Sequence, residues 1–365
     1  MQIKDIKYYN LSIPLKKPFQ TSLRTVKSAE ETIIKIITDT GEVGIGEAPP
    51  TAVITGETGA SIKKIIAEYL FPLIKDKNIE NHESILQIID NAVLKNSSAK
   101  AAVDMAVYDL YGKLYNAPLY RLLGGYREVL ETDITVSIDS PEIMQQDARK
   151  AVEEGYNTLK LKVGKDIETD IKRTAAVRKV VGKDIKIRLD ANQGWSPKEA
   201  VKVIKKMEKM DLNIELVEQP VAAADFAGLK FVRERVLTPI MADESLFSPE
   251  DCFRLFKMKA CDLINIKLMK TGGIRKALMI NAMAEAVGIE VMLGSMLEAK
   301  VSVTAAAQLA AARKNITRLD LDAPILLAED PVKGGIRING PRILLPQAPG
   351  LGIKKINNLD QISSI

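Results

Sequence analysis

Charged residues recur in this sequence at the points where short apolar runs end. Five of them follow one another at similar intervals. The successive spacings from Lys162 through Asp190, Glu218 and Asp243 to Lys267 are 28, 28, 25 and 24 residues. Each interval is about the length of one strand and one helix. If the runs are parallel strands, their carboxyl ends meet at one edge, and we expect the five side chains to converge on one site.

The three acidic residues of this set predict a metal site. Asp190, Glu218 and Asp243 offer only oxygen ligands, which suits Mg²⁺ because this ion keeps water or substrate oxygens around it. A single such carboxylate could equally cap a helix or make a surface ion pair. Three at equivalent positions after apolar runs favour one Mg²⁺ per site, because an unpaired carboxylate is costly to bury.

The lysines beside this acidic set predict acid–base chemistry. Lys160 and Lys162 point to the same side of their strand, because strand side chains alternate, and Lys267 ends the set. A neighbouring ammonium and a nearby divalent cation both disfavour a protonated amine. We therefore expect a lowered pKa and a neutral amine for at least one lysine. The single histidine, His82, lies in a polar stretch, which argues against histidine bases, Ser-His-Asp triads and histidine zinc sites.

Eight apolar runs between residues 133 and 321 alternate with amphipathic helical stretches. This alternation predicts parallel strands with crossover helices, and eight runs favour a closed β/α barrel of the TIM type. A doubly wound open sheet is the alternative, but the glycine-rich loop expected after its first strand is missing. The runs are Asp133 to Ile138, Thr158 to Val163, Lys186 to Leu189, Ile214 to Val217, Ile240 to Ala242, Leu263 to Ile266, Glu290 to Leu293 and Thr317 to Leu321.

The first 125 residues have a different pattern. Strand-like runs extend to about residue 50, and helical patterns follow from 59 to 125. One of these helices can be capped by Asn96-Ser97-Ser98 and ends near Gly112. We expect an α+β domain over residues 1–125 and the barrel over residues 126–325.

Charge and cysteine content argue against several other classes of protein. The formal net charge is only +5, from 52 basic and 47 acidic residues, and no basic patch indicates nucleic-acid binding. Two cysteines are too few for a disulfide framework, and no apolar run reaches the ~18 residues of a membrane helix. The first residues lack the apolar stretch of a signal peptide. We expect a cytoplasmic protein without nucleic-acid or membrane partners.

At its strand ends the chain resembles the muconate-lactonizing subgroup of the enolase superfamily. The resemblance covers nearly the whole chain and is carried by the segments Leu159 to Gly164, Leu189 to Trp195, Val217 to Pro220, Ala242 to Ser245 and Asn265 to Gly273. It implies an enolase-like α/β fold. In this fold an α+β capping domain, formed by residues 1–125 and the C-terminal segment 326–365, closes over a (β/α)₇β barrel.

The resemblance also implies roles for the residues of the site. Asp190, Glu218 and Asp243 are then the Mg²⁺ ligands. Lys162 and Lys267 are the acid–base pair on opposite faces of the substrate. Lys160 assists Lys162. The implied chemistry is removal of a proton next to a carboxylate through an enediolate.

Within the subgroup, the last run resembles the dipeptide epimerases. Asp320 and Asp322 are two same-facing carboxylates, which make a good ammonium site, so the resemblance implies a dipeptide inverted at its C-terminal α-carbon. Arg24, in a first-domain loop, would meet a side-chain carboxylate, as expected for an Ala-Glu type substrate. The expected substrate-binding residues are Arg24, Thr135, Lys160, Glu298, Asp320 and Asp322.

Other functions stay open. The o-succinylbenzoate synthases and cycloisomerases of the same subgroup use the same metal site and lysine pair. Their substrates carry no ammonium, so Asp320 and Asp322 argue against them. A non-catalytic binding protein on this scaffold is the alternative of a different class, and it is expected to lack at least one of the five core residues. The sequence leaves a homo-oligomer open.

Overall fold

The chain begins with an antiparallel sheet in the structure, a computed structural model that describes residues 1–362. Three of the four strands of this sheet are β1 (Ile3–Gln20), β2 (Thr25–Thr38) and β3 (Val43–Ala48), and the fourth comes from the end of the chain. Ile33 and Ile34 of β2 are both fully buried. Because successive strand residues face opposite sides, the sheet is covered on both faces at this point.

Five helices follow this sheet and complete the N-terminal region. They are α1 (Gly59–Ile65), α2 (Phe71–Ile74), α3 (His82–Ala92), α4 (Ser97–Leu114) and α5 (Leu119–Leu122), with a π-helical turn at Ile66–Leu70 and a 3₁₀ turn at Ile79–Asn81. None of the helices within residues 1–362 combines the length and hydropathy that a membrane crossing requires.

Helix α4 lies at the centre of the N-terminal region and is buried along most of its length. It ends at Leu114, two residues beyond the expected end at Gly112. The side chain of Asn96, part of the expected cap, makes no capping hydrogen bond. The carboxylate of Glu57 caps the helix instead, accepting the backbone N–H groups of Ser98 at 2.8 Å and Ala99 at 3.0 Å.

An eight-stranded parallel sheet, curled into a nearly closed barrel, follows the short strand β4 (Val129–Glu131). Each barrel strand pairs with its neighbours in sequence, which confirms the predicted β/α fold. The barrel strands are β5 (Ile134–Val136), β6 (Thr158–Lys162), β7 (Lys186–Asp190), β8 (Ile214–Glu218), β9 (Ile240–Ala242), β10 (Leu263–Lys267), β11 (Glu290–Gly294) and β12 (Ile316–Asp320). The helices between them are α6 (Pro141–Glu153), α7 (Ile167–Val181), α8 (Pro197–Lys209), α9 (Phe226–Arg233), α10 (Pro249–Met258), α11 (Leu268–Thr271), α12 (Ile274–Ala286) and α13 (Lys300–Ala312).

The C-terminal segment contacts both parts of the molecule. The elements that follow β12 are α14 (Ala323–Leu326), β13 (Val332–Gly334), β14 (Arg337–Asn339), β15 (Arg342–Leu344), β16 (Ile353–Ile356) and β17 (Asp360–Gln361). Strand β17 pairs with β1 of the first sheet, whereas β15 pairs with β4 beside the barrel. The assignment of residues 326–365 to the capping domain therefore stays a prediction, and its last three residues lie outside the described part of the chain.

Two barrel helices begin against carboxylates of the N-terminal region. Asp104 of α4 accepts the N–H groups of Ile274 at 2.6 Å and Arg275 at 3.3 Å, at the start of α12. Glu47 of β3 accepts the N–H group of Ala299 at 2.6 Å, at the start of α13. Both carboxylates are buried, and a negative charge at a helix N-terminus is favourable. The two regions are thus joined by helix capping.

Candidate active site

Strand pairing brings Lys162 and the three predicted metal ligands together at the carboxyl end of the barrel. Lys162 on β6 is paired with Asp190 on β7, which is paired with Glu218 on β8. Asp243 directly follows β9, the next strand. All four side chains are buried. The convergence expected from the spacing along the chain is therefore present in the structure.

Lys267 enters from the opposite side of the barrel. It lies on β10, four strands away from Lys162 in an eight-stranded sheet. Lys267 is paired with Gly294 of β11, which is paired with Asp320 of β12. A Cβ atom at Gly294 would lie 2.8 Å from the amide oxygen of Asn265 and 3.1 Å from Cε of Lys267. Glycine is needed here because the lysine side chain passes directly over it.

Lys160 is the counter-ion of three carboxylates. Its Nζ lies 2.7 Å from Glu218 Oε2, 2.7 Å from Asp320 Oδ2 and 3.1 Å from Asp190 Oδ2. Burial disfavours the charge of Lys160, but Asp190, Asp320 and Glu218 outweigh burial and raise its pKa well above the ordinary value. Lys160 lies deeper in the barrel than Lys162, and it neutralises the acidic groups of the site.

Asp243 is paired with two lysines, one on each oxygen. Lys267 Nζ lies 2.9 Å from Oδ2, and Lys270 Nζ lies 2.5 Å from Oδ1. Burial alone would raise the pKa of Asp243, but Lys267 and Lys270 lower it. Sequence reasoning missed Lys270 as a site residue, although it falls inside the segment Asn265 to Gly273 that carries the family resemblance.

We expected a lowered pKa for at least one lysine, and the pKa values of Lys160 and Lys267 are raised instead in this arrangement. Burial acts to lower the pKa of Lys267, but the nearby carboxylate of Asp243 outweighs burial and raises it. The expectation rested on a neighbouring ammonium and on a nearby divalent cation. At these two lysines the attraction of the surrounding carboxylates outweighs burial.

The donor set fits a hard cation such as Mg²⁺. Within residues 1–362, Glu218 Oε2 and Asp243 Oδ1 are buried and accept no well-aligned hydrogen bond, and each lies beside a lysine ammonium. In the same part of the chain, no three acidic, histidine or cysteine side chains have the spacing of a finished metal site. Ammonium groups lie between the carboxylates, as with Lys162 Nζ at 2.6 Å from Asp190 Oδ2. The oxygen ligands would therefore exchange lysine contacts for metal contacts.

Two further polar residues, Asn192 and Glu244, lie in the site without having been predicted from the sequence. Asn192 Nδ2 donates to Glu244 Oε1 at 3.1 Å and to Asp190 Oδ2 at 3.3 Å. Burial, together with Asp243 and Asp190, raises the pKa of Glu244 to about 8. Both residues could have been identified from the sequence, because they lie in the segments Leu189 to Trp195 and Ala242 to Ser245 that carry the family resemblance.

A pocket that is partly open to solvent lies between the barrel mouth and the loops of the N-terminal region. Lysines, acids and one arginine share it with an apolar rim. Its predicted site residues are Arg24, Thr135, Lys162, Asp243, Lys267, Asp320 and Asp322. Its other lining residues include Phe19, Leu23, Val53, Ile54, Asn192, Glu244, Met296 and Leu297.

Three predicted substrate-binding residues have well-defined surroundings in this pocket. Asp322 Oδ2 accepts the backbone N–H of Thr135 at 2.7 Å, so Thr135 orients Asp322 through its backbone. Arg24 is half-buried, and burial lowers the pKa of its guanidinium. No ion pair joins Arg24 to a carboxylate within residues 1–362. An acidic ligand group could therefore pair with it.

Glu298 was expected to bind substrate, but it is buried beside the pocket rather than in its lining. Its carboxylate accepts the N–H of Met296 at 2.7 Å and the hydroxyl of Ser302 at 2.5 Å. Burial raises its pKa. Glu298 therefore stabilises the loop whose Met296 and Leu297 line the pocket, and a contact between Glu298 and substrate stays a prediction. His82, as expected, lies elsewhere, stacked on Tyr111 at 3.8 Å between ring centroids.

A (β/α)₇β barrel under an α+β cap, with acids and two opposed lysines at its mouth, defines an enzyme class, the enolase superfamily. Residues 143–356 match the model described as enolase C-terminal domain-like. Residues 4–124 match the model of the mandelate racemase/muconate lactonizing enzyme N-terminal domain. The chain belongs to the mandelate racemase/muconate lactonizing enzyme family of the enolase superfamily.

Individual relatives are similar over nearly their full length. The L-Ala-D/L-Glu epimerase of Clostridium acetobutylicum is 55% identical over 358 residues, covering 98% of this chain and 100% of the relative. A substrate-bound structure of the L-Ala-D/L-Glu epimerase from Bacillus subtilis has a TM-score of 0.96 at 53% identity, covering 98% and 99%. The dipeptide epimerase of Enterococcus faecalis, in complex with Mg and L-Leu-L-Tyr, has a TM-score of 0.94 at 48% identity, covering 97% and 100%.

Replacing Lys160 tests whether the stability of the acidic cluster depends on a nearby positive charge. Lys160→Met leaves buried carboxylates without their ammonium, so we expect the free energy of unfolding in chelator to fall by about 3–5 kcal/mol. Added Mg²⁺ should recover more stability in this variant than in the unmodified protein. Thermal unfolding with and without Mg²⁺ measures both effects. Lys183→Met, in an exposed ion pair with Asp211, is the control. Equal Mg²⁺ stabilisation of all three proteins would contradict this account.

Proposed function

We propose that this chain is a Mg²⁺-dependent dipeptide epimerase that inverts the α-carbon of the C-terminal residue by two-base proton transfer. One observation carries the proposal: Lys162 and Lys267 line the same pocket from opposite sides of the barrel. A substrate held between them presents one face of its α-carbon to each amine. The relatives described above, which act as dipeptide epimerases, support the same reaction.

The acidic cluster provides the electrostatic part of the mechanism. Asp190, Glu218 and Asp243 would hold Mg²⁺. When bound, Mg²⁺ supplies positive charge beside the substrate carboxylate, where negative charge develops as the α-proton leaves. Lys160 adds a fixed ammonium at the same place, because its Nζ contacts Asp190 and Glu218. This fixed charge is already oriented before the reaction begins.

The two lysines perform the proton transfer. One lysine, neutral at Nζ, accepts the α-proton from one face and leaves a carbanion conjugated with the carboxylate. The other, protonated at Nζ, donates a proton to the opposite face. The product has inverted configuration, and the two lysines have exchanged protonation states. The reverse reaction uses them in exchanged roles, so both isomers are substrates.

Asp320 and Asp322 set the length of the substrate. Both line the pocket, and one oxygen of each is already bound, by Lys160 for Asp320 and by the backbone of Thr135 for Asp322. Their remaining oxygens can accept a free ammonium group. The distance from the lysine pair to these carboxylates would then be spanned by a dipeptide whose amino terminus binds here.

Arg24 favours an acidic side chain at the inverted residue, as in L-Ala-D/L-Glu. Its half-buried guanidinium faces the pocket without a protein carboxylate among residues 1–362. Hydrophobic dipeptides are the second candidate, because exposed Leu23 and Val53 and the neighbouring Ile54 form an apolar rim. Relatives of both kinds exist at similar identity, which leaves Arg24 as the argument for an acidic substrate.

The same geometry argues against the alternative functions. A lyase of the o-succinylbenzoate synthase or cycloisomerase type needs no ammonium site, yet Asp320 and Asp322 both line the pocket. We also propose that residues 1–125 and the C-terminal segment act as the cap over the barrel. A cytoplasmic location is consistent with the free, buried thiols of Cys252 and Cys261.

Removing either lysine should stop inversion but preserve proton exchange on one face of the α-carbon. We expect Lys162→Ala and Lys267→Ala each to lose epimerisation. Each should still exchange the α-proton of one dipeptide isomer with D₂O, and the isomer should differ between the two variants. Proton NMR of each pure isomer measures this exchange. Lys172→Ala, at an exposed position of α7, should behave as the unmodified enzyme. Near-normal epimerisation by either active-site variant would refute the assignment.

The activity should rise with pH through about 6 because of Asp322. Burial and the neighbouring Asp320 raise the pKa of Asp322 to about 6, so its carboxylate is protonated below that pH and cannot pair with the substrate ammonium. We expect kcat/KM for Ala-Glu to fall as pH decreases through 6. In Asp322→Asn, kcat/KM should be low and this step should disappear. A step of unchanged size in the variant would assign the titration to another group.

Arg24→Ala should lower activity toward dipeptides with an acidic side chain and spare the others. We expect kcat/KM for Ala-Glu to fall by a factor of about 10 to 100, because an unpaired side-chain carboxylate in the pocket is costly. The value for Ala-Leu should change little. Arg24→Lys keeps the charge and should lose less. If the unmodified enzyme prefers Ala-Leu to Ala-Glu, the epimerase proposal stands and the role of Arg24 does not.

A further inference from the structure

The backbone that follows Lys162 is held by a buried carboxylate of the barrel itself. Asp170 on α7 accepts the N–H of Gly164, two residues beyond Lys162, at 2.8 Å. The same oxygen accepts the indole N–H of Trp195 at 3.3 Å. A Cβ atom at Gly164 would lie 2.3 Å from the carbonyl oxygen of Ala191. This turn is therefore tightly fixed, and Asp170 is the group that binds it.

The backbone that follows Lys267 is held from the other region of the molecule. Helix α11 begins directly after Lys267 and packs against α4 of the N-terminal region. Asp104 of α4 binds the N–H groups of Ile274 and Arg275 just beyond it. Gly273, which offers no capping side chain, has φ of +117°, and a Cβ there would lie 2.2 Å from Cγ of Asp104. The carboxylate thus occupies the space beside this glycine.

The two anchors therefore differ in origin. Asp170 belongs to the helix between β6 and β7, so Lys162 is positioned within the barrel. Asp104 belongs to residues 1–125, so Lys267 is positioned by the N-terminal region. Both carboxylates are at least nine-tenths buried, and each binds backbone N–H groups that no helix or strand partner satisfies.

We propose that Asp104 and Asp170 are positioning residues that each act on one lysine, so that the N-terminal region controls only one of the two proton transfers. This inference rests on the proposed function. A proton transfer depends steeply on distance, and a misplacement of about 1 Å can cost about 100-fold in rate. Loosening one anchor should therefore impair one face of the reaction and spare the other.

The test measures α-proton exchange in D₂O in two backgrounds, each with one lysine left. Lys162→Ala reports on Lys267 alone, and Lys267→Ala reports on Lys162 alone. We expect Asp104→Asn to slow exchange by about tenfold or more in the first background and by less than about threefold in the second. Asp170→Asn should show the reverse pattern. Both variants keep side-chain volume and lose one acceptor oxygen.

Glu208→Gln is the matched control. Glu208 accepts the N–H groups of Leu237 and Thr238, both at 2.7 Å, before β9 and at the opposite end of the barrel from the pocket. It should leave exchange unchanged in both backgrounds. Should Asp104→Asn fail to fold, Asp104→Glu, which displaces the charge by one methylene, gives the same comparison.

The outcomes separate this inference from the proposed function. If the single-lysine backgrounds show no isomer-selective exchange, the two-base function is wrong. If they do, but Asp104→Asn slows both backgrounds equally, Asp104 acts on overall stability and the positioning role is overturned. Unchanged exchange in the Lys162→Ala background would overturn it as well.

Discussion

Charged side chains can be buried at the mouth of this barrel only because each one contacts a side chain of opposite charge. Lys160 is fully buried and touches Asp190, Glu218 and Asp320; Asp190 and Glu218 are fully buried as well, and Asp320 is 5% exposed at the pocket. Removing one partner from such a cluster is strongly unfavourable, whereas the complete cluster is tolerated. Positive charge, whether of lysine or of a metal ion, is therefore a requirement of the fold here as well as of the chemistry.

The parallel register of the strands places these charged side chains where they can act on a substrate. Side chains that end neighbouring strands lie side by side, which puts Lys162, Asp190 and Glu218 in one row. The closure of eight strands puts Lys267 across from that row. Buried carboxylates also join the cap to the barrel, because Asp104 binds the start of α12. The same interaction, a carboxylate held by backbone or ammonium donors, thus recurs from the domain junction to the active site.

Much of the fold could be predicted because it depends on local periodicity. The eight barrel strands match the eight apolar runs, and the strand ends that carry Asp190 and Lys267 follow from them. What could not be predicted depends on contacts between distant segments. Glu57 caps α4 across about 40 residues of chain, and Glu298 turns toward Ser302 instead of the pocket. The direction of the pKa shift at Lys267 likewise depends on how many carboxylates surround it in three dimensions.

The central claim is that two different amines take and return the proton. The most direct test follows the unmodified enzyme with one pure dipeptide isomer in D₂O and examines the first product formed. We expect every molecule of inverted product to carry deuterium at the α-carbon, because its proton comes from the opposite lysine, which has exchanged with solvent. Inverted product that retains its original α-hydrogen would show that a single base moves the proton between faces, and it would contradict the account.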